Sequence, residues 1–196
     1  MGIAMINQDG GLNYQQLNSN SPVTVGGLIG SRPLFGHANG DISSIDDNIA
    51  TITGESIEGV LIDNQENLIV VAENSVQSFD NNKSKLWGMK NLQTSSHAIG
   101  FAINKVQTLW FAQPDGLNGI LKVISCDMGQ QITAMSCSKI NNIVASNNRV
   151  VVGNEAGEVL VWDADMLNRR LEKDIDLAQD ERKRAMRDRL KALKKR

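Results

Sequence analysis

Two histidines, His37 and His97, and two cysteines, Cys126 and Cys137, are the chain's side chains whose ordinary pKa values lie nearest neutral pH, and so the first to consider for general-base, nucleophilic or soft-metal chemistry. Neither histidine has a second ligand at a spacing such as His-x-x-x-His, and two cysteines can build neither a four-ligand metal site nor a disulfide framework. Both cysteines stand in apolar strand contexts without a cationic cluster to stabilise a thiolate, so they read as small core residues. The sequence contains no Gly-x-x-x-x-Gly-Lys-Ser/Thr phosphate loop, and no Gly-x-Gly-x-x-Gly turn enters a helix. The acidic residues are scattered rather than spaced as a calcium loop. No catalytic, cofactor-binding or metal-binding residue is therefore assigned, and the expectation is a protein without enzymatic activity.

A second kind of chemistry is binding. Trp87, Trp110 and Trp162, with Phe79, Phe101 and Phe111, could stack on the bases of a single-stranded nucleic acid. Charge argues against it. From Asp180 to Arg196 there are nine cations (Arg182, Lys183, Arg184, Arg187, Arg189, Lys191, Lys194, Lys195 and Arg196) against three carboxylates, a tail of +6. The first 179 residues consequently carry a balance of −8 within a total of −2, and an acidic body repels phosphate. The aromatics read as core. The tail alone could meet nucleic acid, a microtubule or another anionic surface by screened attraction.

The elements that would position these residues are short. Residues 1–22 are polar and rich in turn formers, an N-terminal arm or linker. Residues 23–165 consist of apolar runs of four to seven residues punctuated by Gly, Asn, Asp and Ser. The expected strands include Ile49–Thr53, Gly59–Ile62, Leu68–Ala72, Ser75–Phe79, Thr108–Ala112, Ile120–Ser125, Arg149–Val152 and Glu158–Trp162. None is followed by the helical pattern a parallel sheet needs, which predicts an all-β body. The apolar runs are also far shorter than the roughly 20 residues of a membrane-spanning helix, so no membrane partner is expected.

Over residues 166–196 the period changes. Leu167, Leu171, Ile175, Met186, Leu190 and Leu193 fall on one face of a helix with a mean repeat near 3.7. Gly and Pro are absent from this stretch. A helix of about 30 residues would run roughly 45 Å, too long to lie wholly on a small β domain, so its stripe is expected to await a partner helix as the start of a coiled coil.

Three segments align on a strand, turn, strand pattern ending in aspartate: Ile49–Asp63, Thr108–Asp127 and Arg149–Asp163. The last, with Val150-Val151-Val152-Gly153-Asn154-Glu155-Ala156-Gly157-Glu158-Val159-Leu160-Val161-Trp162-Asp163, resembles the second and third strands of a blade in the WD-repeat family of β-propellers, and Gly36-His37 resembles the dipeptide that opens such a repeat. The resemblance implies hydrogen-bonded or packed blade roles for His37, Trp162 and Asp163. It covers roughly residues 35–165, and the repeats are degenerate: the strand near Val60 lacks Trp, and no Gly-His precedes Ser138–Val144. The β region suffices for three to four blades, a partial propeller with uncovered edges at both ends that would need a partner or a second copy. A propeller running into a charged helix is also similar in layout to the WD-repeat and coiled-coil proteins of the ciliary axoneme.

The function expected from these readings is a non-enzymatic protein-interaction scaffold or assembly subunit. It would dock through propeller edges, loops and the C-terminal helix, in a reducing, cytoplasmic compartment and, by the axonemal resemblance, at a cilium or other cytoskeletal structure. The alternatives are a nucleic-acid-associated protein that uses the basic helix, and a structural subunit of a large particle such as a virion.

Overall fold

Short side-chain oxygens at strand ends shape several of the chain's hairpins. Asp63 Oδ1 accepts the amide N–H groups of Gln65 (2.9 Å) and Asn67 (2.8 Å), while its Oδ2 accepts Asn67 Nδ2 at 2.9 Å. Asp80 Oδ1 takes the amides of Asn82 and Ser84, and Asn154 Oδ1 those of Ala156 and Glu158. One acceptor thus satisfies two amides that a turn would otherwise leave without partners. The same residues end one strand and aim the next antiparallel to it.

The computed structural model describes residues 2–6, 9–17, 19–45, 48–52 and 54–170. The first two strands, β1 (Gly2–Ile6) and β2 (Leu12–Gln16), form a hairpin of their own within the segment read as an arm. Sheet one is β3 (Val23–Ile29), β4 (Arg32–His37), β5 (Asp41–Ser44) and β6 (Asn48–Thr51). Sheet two is β7 (Ile57–Ile62), β8 (Leu68–Ala72), β9 (Ser75–Phe79) and β10 (Lys85–Lys90). Sheet three is β11 (Ser96–Ile103), β12 (Val106–Asp115), β13 (Asn118–Ser125) and β14 (Gln131–Ser138). Sheet four has three strands, β15 (Ile140–Ala145), β16 (Arg149–Asn154) and β17 (Val159–Asp163), and a helix, α1, follows at residues 164–170.

All pairings are antiparallel between chain neighbours, so each sheet is an up-and-down meander. The second strands begin at Arg32, Leu68, Val106 and Arg149, intervals of 36, 38 and 43 residues, which is propeller spacing. This corrects the repeat alignment in one place. Ile49–Asp63 is not a hairpin: β6 pairs with β5 and β7 pairs with β8, so the segment crosses from sheet one to sheet two. The strands after it, Leu68 to Trp87, are the remainder of sheet two rather than an additional half-blade.

The core lies between sheets. Leu68, Val70 and Ala72 of β8 face sheet one, whereas Ile69 and Val71 face sheet three, because successive strand residues point to opposite faces. In β12, Leu109 and Phe111 face sheet two and Trp110 and Ala112 face sheet four. Three apolar clusters result, one for each seam between consecutive sheets, with β3 lying on β7 and β11 on β15. Among the described residues no fourth cluster and no comparable strand contact joins sheet four back to sheet one. The four blades form an arc.

Two positions show how closely the arc is fitted. Gly40, at φ +90°, turns the chain between β4 and β5, and a Cβ there would lie 1.6 Å from the carbonyl oxygen of Ile52. Gly59 in β7 lies against the His97 ring, 2.1 Å from a Cβ to Nε2. His97 Nδ1 is buried without a hydrogen-bond partner, and burial pushes the imidazole pKa below its usual value.

Gly40→Ala should cost about 2 kcal/mol or more, from the left-handed backbone and the collision together, read as a lower urea midpoint at unchanged slope. A second expectation concerns pH. His97 has a folded-state pKa below its unfolded value, so its neutral form supports the fold above about pH 6.5 and that support is lost as the pH falls below it. Urea midpoints measured from pH 7 down to pH 5.5 should decline in the parent chain and decline less in His97→Phe; an equal decline in both would contradict the assignment.

Candidate protein-interaction surface

In the first three sheets, the middle of the second-strand face that looks toward the following sheet is buried: Leu34 in β4, Ile69 and Val71 in β8, Trp110 in β12. Among the described residues, the matching face of sheet four has no following sheet. Its strand register places Val144 opposite Val151 and Val151 opposite Val161, one row across β15, β16 and β17, with Val159 two residues from Val161 on the same side. Val144, Val159 and Val161 are 60%, 68% and 58% exposed. The opposite face, with Ile143, Val150, Val152, Leu160 and Trp162, closes the seam to sheet three. Alternation alone thus turns one valine-rich hairpin into a sealed face and an open one.

Among the described residues the surface has an unpaired edge as well. β13, β9 and β5 are each covered by a fourth strand, whereas β17 is the edge of its sheet. Such an edge offers unpaired main-chain donors and acceptors to another strand. At the rim, Arg149 Nε lies 3.4 Å from Asp163 Oδ2, an exposed pair that brings charge only to the border of the valine row.

Sheet one presents the other open end. The register puts Gly26, Leu28, Pro33 and Phe35 on the face turned away from sheet two. Leu28 is 63% exposed, while the far part of this face is roofed by residues 19–22. The β1–β2 hairpin adds a third apolar surface: Ala4 stands opposite Tyr14 and Ile6 opposite Leu12, and Ile6, Leu12 and Tyr14 are exposed.

His37 is fully buried, with Nδ1 3.0 Å from the carbonyl oxygen of Ser21 and Nε2 2.7 Å from Ser43 Oγ, so it ties residues 19–22 to β4 and β5. Trp162 packs against Trp110 with ring centroids 5.4 Å apart and planes tilted by 54°, and Trp110 Nε1 donates to Thr108 Oγ1. Asp163 caps α1: its Oδ1 accepts the amides of Asp165 and Met166, and these bonds, Met166's foremost, with Arg149 nearby, hold its carboxyl below the usual pKa.

Leu167 corrects the expected partner-helix stripe. It packs on the seam between sheets three and four, and Asn168 fixes α1 there through Ala102 O and the Asn104 amide. The cap aims the first turn back over its own body, so Leu167 is not offered to another helix. The other stripe positions, Leu171, Ile175, Met186, Leu190 and Leu193, and all nine cations of the basic tail lie outside the described residues.

The reactive side chains are dispersed. Burial, with Asp63 and Asp127 nearby, pushes the Cys126 thiol pKa up to about 12, and burial raises that of Cys137. Among the described residues, no three His, Cys, Asp or Glu side chains converge as a metal site. The clefts are open and of mixed polarity, as at Arg32, Glu66 and Lys83 beside the first seam. Sequence reasoning missed the valine row and Leu28, since a half-buried valine such as Val151 between two buried ones carries no distinguishing residue type.

No protein-family model and no curated protein matches the sequence. Solved structures do match in shape. The chain is similar to the computationally designed Ika4 protein, at 18% identity and a TM-score of 0.57, over 74% of this chain and 93% of that one. It is similar to the β-propeller domain of Cps50 (Swd1) from Myceliophteria thermophila, at 12% identity and a TM-score of 0.58, over 73% of this chain and 54% of that one. It also resembles a chain of a mitotic checkpoint complex, at 12% identity and a TM-score of 0.62, over 84% and 55%. The chain spans about half the length of the latter two. At these identities the likeness shows the fold, and that fold is an all-β propeller arrangement of four blades.

Proposed function

We propose that this chain is a non-enzymatic assembly scaffold that acts by seating other polypeptides on the open ends of its propeller arc. One observation carries the reading: the outer face of sheet four presents Val144, Val151, Val159 and Val161 in the position that every earlier sheet buries. Fully burying a valine contributes about 1.5–3 kcal/mol, so a partner covering this row gains hydrophobic stabilisation without desolvating a charge. The β17 edge adds main-chain pairing and hence register. The likeness to a chain of the mitotic checkpoint complex supports protein partners as a class.

A second reading rests on the +6 balance of residues 180–196. It gives the basic tail an anionic surface, a microtubule or a nucleic acid, and with it the cytoplasmic setting at a cilium or cytoskeletal structure that the sequence layout suggests. The two readings respond differently to salt, because screening weakens exposed charge contacts far more than apolar ones.

A photo-crosslinking residue placed at Val144 should, in cells, form adducts with polypeptide well above those from the same residue at Leu117, which is 96% exposed on a distant turn. The adducts should persist when extracts are irradiated in half-molar salt and in a chain lacking residues 180–196. Adduct yields no higher at Val144 than at Leu117 would sink the docking reading, and yields lost with salt and with the tail would favour the charge reading.

A further inference from the structure

We infer that the occupant of both open ends is a second copy of this chain, two arcs closing head to tail into one ring. The inference rests on the docking reading above and names its partner. Among the described residues, one arc lacks a face for the outer side of sheet four and for the part of sheet one's outer side that residues 19–22 leave unroofed. A second copy brings one of each.

Three observations carry the pairing. The first is size. The arc spans 54% and 55% of two propeller chains it resembles, so what a ring still needs is about one more arc. The second is chemistry. Sheet four offers exposed Val144, Val159 and Val161 around half-buried Val151, and sheet one offers exposed Leu28 beside half-buried Pro33 and Phe35, apolar against apolar as in the three internal seams. Charge stays at the rim, in the Arg149–Asp163 pair, so two acidic bodies meet through an uncharged centre. The third is symmetry. A contact between unlike faces builds a filament unless the rotation closes, and two half-rings related by a two-fold axis close it with two identical seams. Closure leaves neither sheet face exposed.

The test uses the whole chain and two exposed, single-residue changes, Val161→Glu on sheet four and Leu28→Glu on sheet one, with circular dichroism confirming that each variant folds. Light scattering during size exclusion should give the parent a mass twice 21.4 kDa, without larger species. Each variant alone has a damaged residue in both seams and should run as a monomer. Mixed, the two restore one undamaged seam, from sheet four of the Leu28→Glu chain and sheet one of the Val161→Glu chain, so the mixture should contain a heterodimer that neither variant forms alone.

A dimer that survives both changes, a mixture that stays monomeric, or open higher oligomers would each overturn head-to-tail closure. If the parent is a monomer, the second-copy proposal fails, and amide exchange separates that failure from the wider one. Rapid exchange at the outward-pointing amides of β17, those that β16 does not bond, leaves the docking reading standing with a different partner; protection of those amides in the monomer means the chain covers its own edge, and both readings fall.

Discussion

A β-strand cannot hide all its side chains against one neighbour, because consecutive residues point to opposite faces. That constraint governs this molecule. Leu68 to Ala72 is apolar throughout and every residue in it is buried, which requires a sheet on each side. The same holds for Leu109 to Ala112. Stacking sheets in sequence meets the demand for the interior blades and transfers it, unmet, to the two ends. The exposed valines of sheet four are therefore the same device as the core, at the point where the stacking stops.

The turns explain why the stacking is regular without regular repeats. Asp63, Asp80 and Asn154 stand at the ends of a first, a third and a second strand of their sheets, and each binds the amides two and four residues ahead, though the residues around them differ. A side-chain acceptor of the right length suffices, so the turn survives sequence drift that erases a repeat signature. Gly40 and Gly59 hold the complementary role, keeping Cβ atoms out of places where backbone or the His97 ring must come close.

Legibility in the sequence follows burial. Leu68–Ala72 was readable to the residue, since two-sided burial leaves an unbroken apolar run, and Ser75–Phe79 was readable as the strand that follows it across the two-residue Glu73-Asn74 turn. Lys85–Lys90 and Gln131–Ser138 were not: they are mostly exposed outer strands that owe their conformation to the ladder of the strand beside them rather than to their own composition. Ile49–Asp63 misled because β6 and β7 are consecutive extended runs, and nothing local states whether two such runs pair with each other or with outside neighbours. His37, Trp162 and Asp163 were legible as individual residues. The open face was not, because Val150, Val151 and Val152 are the same residue type and only the missing neighbour tells the middle one apart.

The junction at Asp163 has a mechanical meaning. Strand β17 ends in the side chain that starts α1, and two residues of that helix, Leu167 and Asn168, are anchored on the last internal seam. A pull or twist exerted on the chain beyond residue 170 would reach the body first through this short clamp. It would load the joint between the third and fourth blades in shear, while the strands within each blade keep their register. The arc's opening angle and any load carried by the chain after residue 170 are in that sense geared together.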